Sequence, residues 1–152
     1  MSQSDQIIID GSDVILGRLA SRVAKMLLEG KKVVVINSEK IVVSGEPKKL
    51  VQFYKNTILG VRAHYSHRWR PKRPRSPTRL FKRTVRGMLP KNKKKGEEAL
   101  KRLRVYIGTP KEYVNKESIK PARITSDKLG RKFTTLGIIS EQLGWKVRSV
   151  GE

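Results

Sequence analysis

The 152-residue chain contains no cysteine, no long apolar run and, over one third of its length, no acidic residue. The missing cysteines exclude disulfides, Cys-based zinc sites and thiol nucleophiles, and they fit a reducing compartment. A membrane-spanning helix needs about 20 apolar residues, and the longest runs, such as Val33 to Ile36, are far shorter. The N-terminus lacks the basic start and apolar run of a signal peptide. We therefore expect a soluble, intracellular, cytoplasmic protein with no membrane partner.

The acid-free stretch runs from Pro47 to Gly96 and contains seventeen Lys or Arg residues. The net charge of the whole chain is +22, so this third of the length supplies most of it. Protein surfaces normally mix both signs of charge, because a block of one sign repels itself and raises the free energy of the compact state. A dense polyanion offsets that cost, and nucleic acid is the commonest one.

The first forty residues predict a βαβ unit. A β-branched run at Gln6 to Asp10 indicates a strand, and apolar residues at helical spacing from Leu16 to Leu28 indicate a helix that Gly30 ends. The unbroken apolar run at Lys32 to Asn37 is typical of a parallel strand covered on both faces. These elements predict a compact α/β domain with a small, mostly parallel sheet flanked by helices.

The rest of the chain predicts shorter elements around that unit. Residues 1–152 are expected to form one domain, with a basic arm and helix at 60–96 and an irregular C-terminal region at 109–152. Ser76 and Pro77 form a helix-start pattern, apolar residues 80, 81, 85, 88 and 89 form a stripe, and Pro90 ends the helix. Further expected elements are a strand at 41–43, a helix that begins at Pro47 and ends at Gly60, a helix that begins at Glu97, a strand at 105–108, and a final short helix from Phe133 to Gly144.

Enzymatic motifs are lacking where this fold class would carry them. Gly11 and Gly17 fit neither the dinucleotide pattern Gly-x-Gly-x-x-Gly nor the phosphate-binding P-loop, so we interpret them as a structural turn and a helix start. No pair of carboxylates suggests acid–base catalysis. We expect a protein that is not an enzyme, with no cofactor and no small-molecule substrate. The alternative, an RNA-modifying enzyme, would bind a nucleotide or S-adenosylmethionine near Gly11 to Gly17.

Two histidines stand in an H-x-x-H pattern at His64 and His67. A metal site needs further ligands, and no acid or thiol lies nearby in the sequence. We therefore predict no metal site, and we interpret both histidines as partly buried or stacked on RNA.

The basic stretch combines forked arginine donors, which suit phosphates, with aromatic rings, which suit unpaired bases. Two interpretations remain open for Trp69, which either stacks on RNA or anchors the arm to its own domain. The lysines at 91–95 and at 48–49 also fit plain solvated positions. Charge alone does not separate RNA from DNA, so a DNA-compacting protein is another alternative. The predicted RNA-binding residues are Lys48, Lys49, Arg62, His64, His67, Arg68, Trp69, Arg70, Lys72, Arg73, Arg75, Arg79, Lys82, Arg83, Arg86, Lys91, Lys93, Lys94 and Lys95.

Several segments resemble one known family in order and spacing. They are Leu16-Gly17-Arg18-Leu19-Ala20-Ser21, the run from Lys32 to Ile41, Thr84-Val85-Arg86-Gly87-Met88-Leu89-Pro90-Lys91-Asn92, and Leu103-Arg104-Val105-Tyr106. Together they resemble the ribosomal protein thirteen family of the large subunit, and Arg79 to Arg83 and Leu143 to Lys146 are similar to its archaeal and eukaryotic branch. The end at Glu152, without a long extension, is similar to archaeal members.

This resemblance implies a compact α/β domain with a parallel sheet. It also implies binding to large-subunit ribosomal RNA beside neighbouring ribosomal proteins, early in subunit assembly and without catalysis. We expect the RNA contacts on the arm from Arg62 to Arg75, the outward face of the helix from Arg79 to Arg86, and Lys91 to Lys95. We expect Met88 and Leu89 in the core beside that surface.

Overall fold

The computed structural model describes residues 5–60 and 73–147. The strands are β1 (Gln6–Asp10), β2 (Lys32–Ile36), β3 (Val42–Ser44), β4 (Leu103–Val105) and β5 (Phe133–Thr135). The helices are α1 (Leu16–Leu28), α2 (Pro47–Thr57), α3 (Pro77–Met88), α4 (Lys94–Lys101) and α5 (Leu136–Gln142). Short 3₁₀ turns lie at 38–40, 111–113, 122–124 and 126–128.

A parallel three-stranded sheet is the centre of the fold, with strand order β1-β2-β4. Ile7 of β1 pairs with Val33, and Val35 of β2 pairs with Val105 of β4. Because β2 is the middle strand, its apolar side chains are buried on both faces, as its unbroken apolar sequence predicted. The predicted α/β architecture with a small, mostly parallel sheet is confirmed.

The two faces of this sheet are covered in different ways. On one face, Val33, Val35 and Leu103 join a large core cluster that contains the inner sides of α1 and α3. On the other face, Ile8, Val34 and Ile36 pack with Tyr106 and Tyr113. Tyr113 belongs to the irregular segment that follows β4, so this segment acts as the second covering layer.

The irregular segment also extends the sheet beyond β1. The amide of Ile119 donates to the carbonyl of Ile8 at 2.8 Å, and the amide of Asp10 donates to the carbonyl of Ile119 at 3.1 Å. This parallel bridge pairs the backbone groups that β1 would otherwise expose at the sheet edge.

Helix α3 begins and ends where its sequence indicated. The hydroxyl of Ser76 accepts a hydrogen bond from the backbone amide of Arg79 at 3.4 Å, and Pro77 is the first helical residue. Leu89 is extended, with φ −91° and ψ 157°, because the following Pro90 disfavours the helical conformation. The expectation that Met88 lies in the core is wrong. Its side chain is 43% exposed, and Leu89 takes the core position where the chain leaves the helix.

A second, antiparallel pair of strands overturns part of the prediction for the C-terminal region. Phe133 was expected to begin the final helix, but it lies in β5 and pairs with Ser44 of β3. The helix itself is shorter, from Leu136 to Gln142. Three residues offer too little sequence for an alternating pattern, so only the distant partner strand defines β5 as a strand.

Two element boundaries after α3 also differ from the predictions. Helix α4 begins at Lys94 rather than Glu97, and β4 covers Leu103–Val105 rather than 105–108. Helix α2 ends at Thr57, three residues before the expected Gly60.

Within the two described ranges, no helix has the length and apolar character needed to cross a membrane.

Candidate nucleic-acid interface

One side of α3 presents a row of cations to solvent. Arg79, Arg83 and Arg86 are exposed and recur at spacings of four and three residues, which places them on one face of the helix. Lys82 lies beside them and is half-buried. The opposite side packs into the core through Leu80, Phe81 and Val85, and this packing fixes the outward direction of the cationic row. None of the four cations forms an ion pair with another described residue.

The turn from α3 to α4 carries four more cations, of which Lys91 lies beside Arg83 and Arg86. Asn92 has a left-handed backbone conformation, with φ 58°, which tightens the turn. Lys94 and Lys95 form the first turn of α4, where the helix dipole disfavours cations. Glu97 in the same turn offsets part of that cost, and a bound anion would offset the rest. All of the lysines in the turn, Lys91, Lys93, Lys94 and Lys95, are exposed.

A groove of about 460 Å³ lies where α3 meets the turn and α4. Its cationic residues are Arg83, Arg86 and Lys91, and its apolar residues are Leu89, Pro90 and Leu100. Gly87, Asn92, Gly96 and Glu97 complete its wall. A side chain on Gly96 would collide with the carbonyl oxygen of Pro90, so glycine is required for the close approach of α4 to the turn. We call the eight cations Arg79, Lys82, Arg83, Arg86, Lys91, Lys93, Lys94 and Lys95 the α3–α4 surface.

The other predicted contact residues have different surroundings. Lys48 and Lys49 are exposed in the first turn of α2, and the Nζ of Lys49 lies 3.6 Å from the Glu46 carboxylate. Arg73 is half-buried and Arg75 is exposed. The guanidinium of Arg75 lies near Gly144 at the end of α5, 3.6 Å from the position of a Cβ on that glycine. Seven predicted residues fall outside the described ranges, namely Arg62, His64, His67, Arg68, Trp69, Arg70 and Lys72.

The loop after β1, where a nucleotide would bind in many α/β folds, is closed by its own packing. A Cβ on Gly11 would lie 2.9 Å from the Cγ1 of Ile41, so this glycine makes room for a core side chain. The Asp10 carboxylate accepts a hydrogen bond from the side-chain amide of Asn37 at 3.0 Å. It also accepts hydrogen bonds from the backbone amide of Ser12 at 3.0 Å and from the Ser12 hydroxyl at 2.8 Å. Partial burial alone would raise the pKa of Asp10, but these hydrogen bonds outweigh it and lower the pKa below its ordinary value.

The described residues contain no group of three or more His, Cys, Asp or Glu side chains placed to hold a metal ion. His64 and His67 lie outside these residues, so the absence of a metal site at this H-x-x-H pair stays a prediction.

Comparison with known proteins decides the family. The model of the family described as ribosomal protein L13 matches residues 4–112. The chain belongs to the ribosomal protein L13 family. This confirms the resemblance found in the sequence. Ribosomal protein L13 is a structural family, so the chain is not an enzyme, as predicted.

Relatives in the ribosomal protein L13 family cover almost the whole chain. The chain is 53% identical to the large ribosomal subunit protein uL13 of Aeropyrum pernix, over 95% of this chain and 93% of that protein. It is 42% identical to uL13 of Saccharolobus solfataricus, over 94% of this chain and 95% of that protein. It is also 42% identical to uL13 of Methanopyrus kandleri, over 92% of this chain and 87% of that protein.

Sequence reasoning did not identify the groove. Its wall combines residues of α3 with Glu97 and Leu100 of α4, which were treated as ordinary helix positions. One signal was present in the sequence, because Gly87 interrupts a helical pattern without serving as its C-terminal cap.

Proposed function

We propose that this protein is a structural constituent of the large ribosomal subunit in the cytoplasm, and that it binds large-subunit ribosomal RNA there. Family membership and the printed names of the relatives support the subunit assignment. The observation that carries RNA binding is the α3–α4 surface, whose eight cations lack acidic partners among the described residues. Charges left unneutralised by the protein fit a polyanionic partner.

The predicted residues outside this surface fit the same role as secondary contacts. Lys48 is exposed in the first turn of α2, where an external anion would be favourable. The arm residues between 62 and 72 would add arginines, histidines and Trp69, whose types suit phosphates and unpaired bases. Neighbouring large-subunit proteins are further expected partners.

A filter-binding titration with fragments of large-subunit ribosomal RNA tests the proposal. If about eight cations meet phosphates, log affinity should fall with log salt at a slope of roughly −6 to −7. Random RNA of equal length and duplex DNA are the matched competitors. A flat salt response, or equal binding of random RNA, would contradict the proposal. Tighter binding of duplex DNA would favour a DNA-compacting protein instead.

We also propose that the protein acts early in subunit assembly, because it would neutralise phosphates where RNA segments converge. Reconstitution of the large subunit without this protein should then stall at a particle that lacks other proteins as well. Sedimentation and protein composition of that particle are the measurements. A particle that lacks this protein alone would contradict an early role.

A further inference from the structure

Gly87 is a helical residue without an internal reason to be glycine. It lies in the last turn of α3, its φ is not positive, and a Cβ there would meet no atom within 4 Å. Glycine is less favourable than alanine in the interior of a helix. Gly96, on the facing helix, differs because it is packed against the Pro90 carbonyl. The open space above Gly87 therefore belongs to the outside of the protein, and it opens into the groove.

The groove combines two kinds of chemistry in one place. Pro90 and Leu100, both half-buried, supply apolar surface above the buried Leu89, and Arg83, Arg86 and Lys91 supply positive charge. A purely cationic track would suit any phosphate backbone, whereas an apolar surface is suited to the face of a base. The volume of about 460 Å³ falls within the size of a small-ligand pocket, about 300–1,000 Å³.

Glu97 narrows the choice of ligand further. It is exposed, lies in the wall of the same groove and forms no ion pair with the described residues. A carboxylate repels a phosphate but accepts hydrogen bonds from a base amino group or a ribose hydroxyl. The groove therefore suits one nucleotide with its phosphate at the arginines and its base and ribose facing the apolar side and Glu97.

We propose that this groove binds a single unpaired RNA nucleotide, and that Gly87 is glycine so that the sugar–phosphate backbone can reach the bare helix. The inference rests on the proposed RNA-binding function and adds the form of RNA that this part of the surface recognises. A paired nucleotide does not fit, because its base edge is occupied and its neighbours are stacked on both sides.

The test uses the full chain and a ten-nucleotide RNA that carries one 4-thiouridine, either single-stranded or annealed to its complement. Fluorescence anisotropy measures affinity, and ultraviolet cross-linking followed by mass spectrometry locates the contact. We expect the single strand to bind about fivefold more tightly than the duplex, the low end of the range for one stacked base, because the groove offers aliphatic rather than aromatic side chains. Cross-links should fall between residues 83 and 100.

The decisive variant is Gly87→Ala, and the matched control is Gly17→Ala. Gly17 is also a helical glycine with open space around the position of its Cβ, but it lies in α1, outside the groove. Both variants should unfold at the same temperature as the wild type or higher, since alanine favours the helix. Gly87→Ala should lose most of the preference for the single strand, and Gly17→Ala should keep it.

Three results would overturn this inference while leaving RNA binding intact. They are equal affinity for single strand and duplex, cross-links confined to other segments, or equal losses in the two alanine variants. A wild-type protein that binds neither ten-nucleotide RNA would also overturn this inference, whereas the proposed function is judged by the titration with ribosomal RNA fragments.

Discussion

Replacing the three exposed arginines of α3 by glutamine should weaken RNA binding and stabilise the free protein. The outer two of Arg79, Arg83 and Arg86 are seven positions apart along the helix, or about 10 Å at 1.5 Å per residue. Each phosphate contact contributes about 0.7 to 0.9 to the salt slope, so three contacts contribute about 2 to 3. When the salt rises from 50 to 200 mM, the variant should therefore lose about 20- to 40-fold less affinity than the wild type loses.

Stability should change in the opposite direction. Arg79, Lys82, Arg83 and Arg86 form four like-charge pairs at spacings of three or four residues. Each such pair destabilises a helix by about 0.2–0.5 kcal/mol at low salt, and all four pairs disappear in the variant. Urea denaturation at low salt should therefore show a gain of about 1 kcal/mol, which shrinks as salt is added.

The chain supplies a matched control on α1. Arg18, Arg22 and Lys25 are exposed at the same spacing, so their replacement by glutamine removes the same charge from another helix. We expect the α3 variant to lower the salt slope by about 2 to 3 and the α1 variant to lower it by less than about 1. Equal changes in the two variants would mean that net charge, rather than the α3–α4 surface, governs binding.

Two further predictions concern stability. Gly96→Ala should destabilise the protein by about 1–3 kcal/mol, because its methyl group meets the Pro90 carbonyl; a chemical denaturation midpoint equal to that of Gly87→Ala would contradict this packing. Asn37→Gly keeps the left-handed backbone (φ 54°) but removes the hydrogen bond to Asp10, so it should cost about 1 kcal/mol near pH 7. This hydrogen bond lowers the pKa of Asp10 in the folded protein. Its contribution to the free energy of unfolding is therefore fully present above pH 3.8, the ordinary pKa of an aspartate, and is lost as the pH falls through the lower pKa of the folded protein. The gap between the unfolding free energies of variant and wild type should therefore shrink toward pH 3, and a gap independent of pH would contradict the role of this bond.

The parts of the fold that the sequence predicted depend on local physics. The apolar run of β2 indicated a strand buried on both faces, and it is the middle strand of the sheet. The start of α3 followed from the capping Ser76 and from Pro77, and its end followed from Pro90. In each case, the residues that decide the structure lie within a few positions of the element.

The parts that the sequence did not predict depend on distant contacts. β5 is a strand because it pairs with β3, about ninety residues earlier in the chain. Met88 occupies a core-facing position of the helical pattern, but the helix ends there and the side chain is exposed. For the candidate site, charge pattern gave the cationic face of α3. The groove required knowledge of how α4 packs against Pro90, which no local pattern contains.

Arginine modification by phenylglyoxal, followed by mass spectrometry, tests most directly whether the α3 face lies against RNA in the large subunit. The protein is modified once in its free form and once within large subunits that carry it, and the rates at individual arginines are compared. We expect Arg83 and Arg86 to react several-fold more slowly in the subunit, and to react at the free rate once the RNA is digested. Equal rates at Arg83 and Arg86 in the free protein and in the intact subunit would contradict the account.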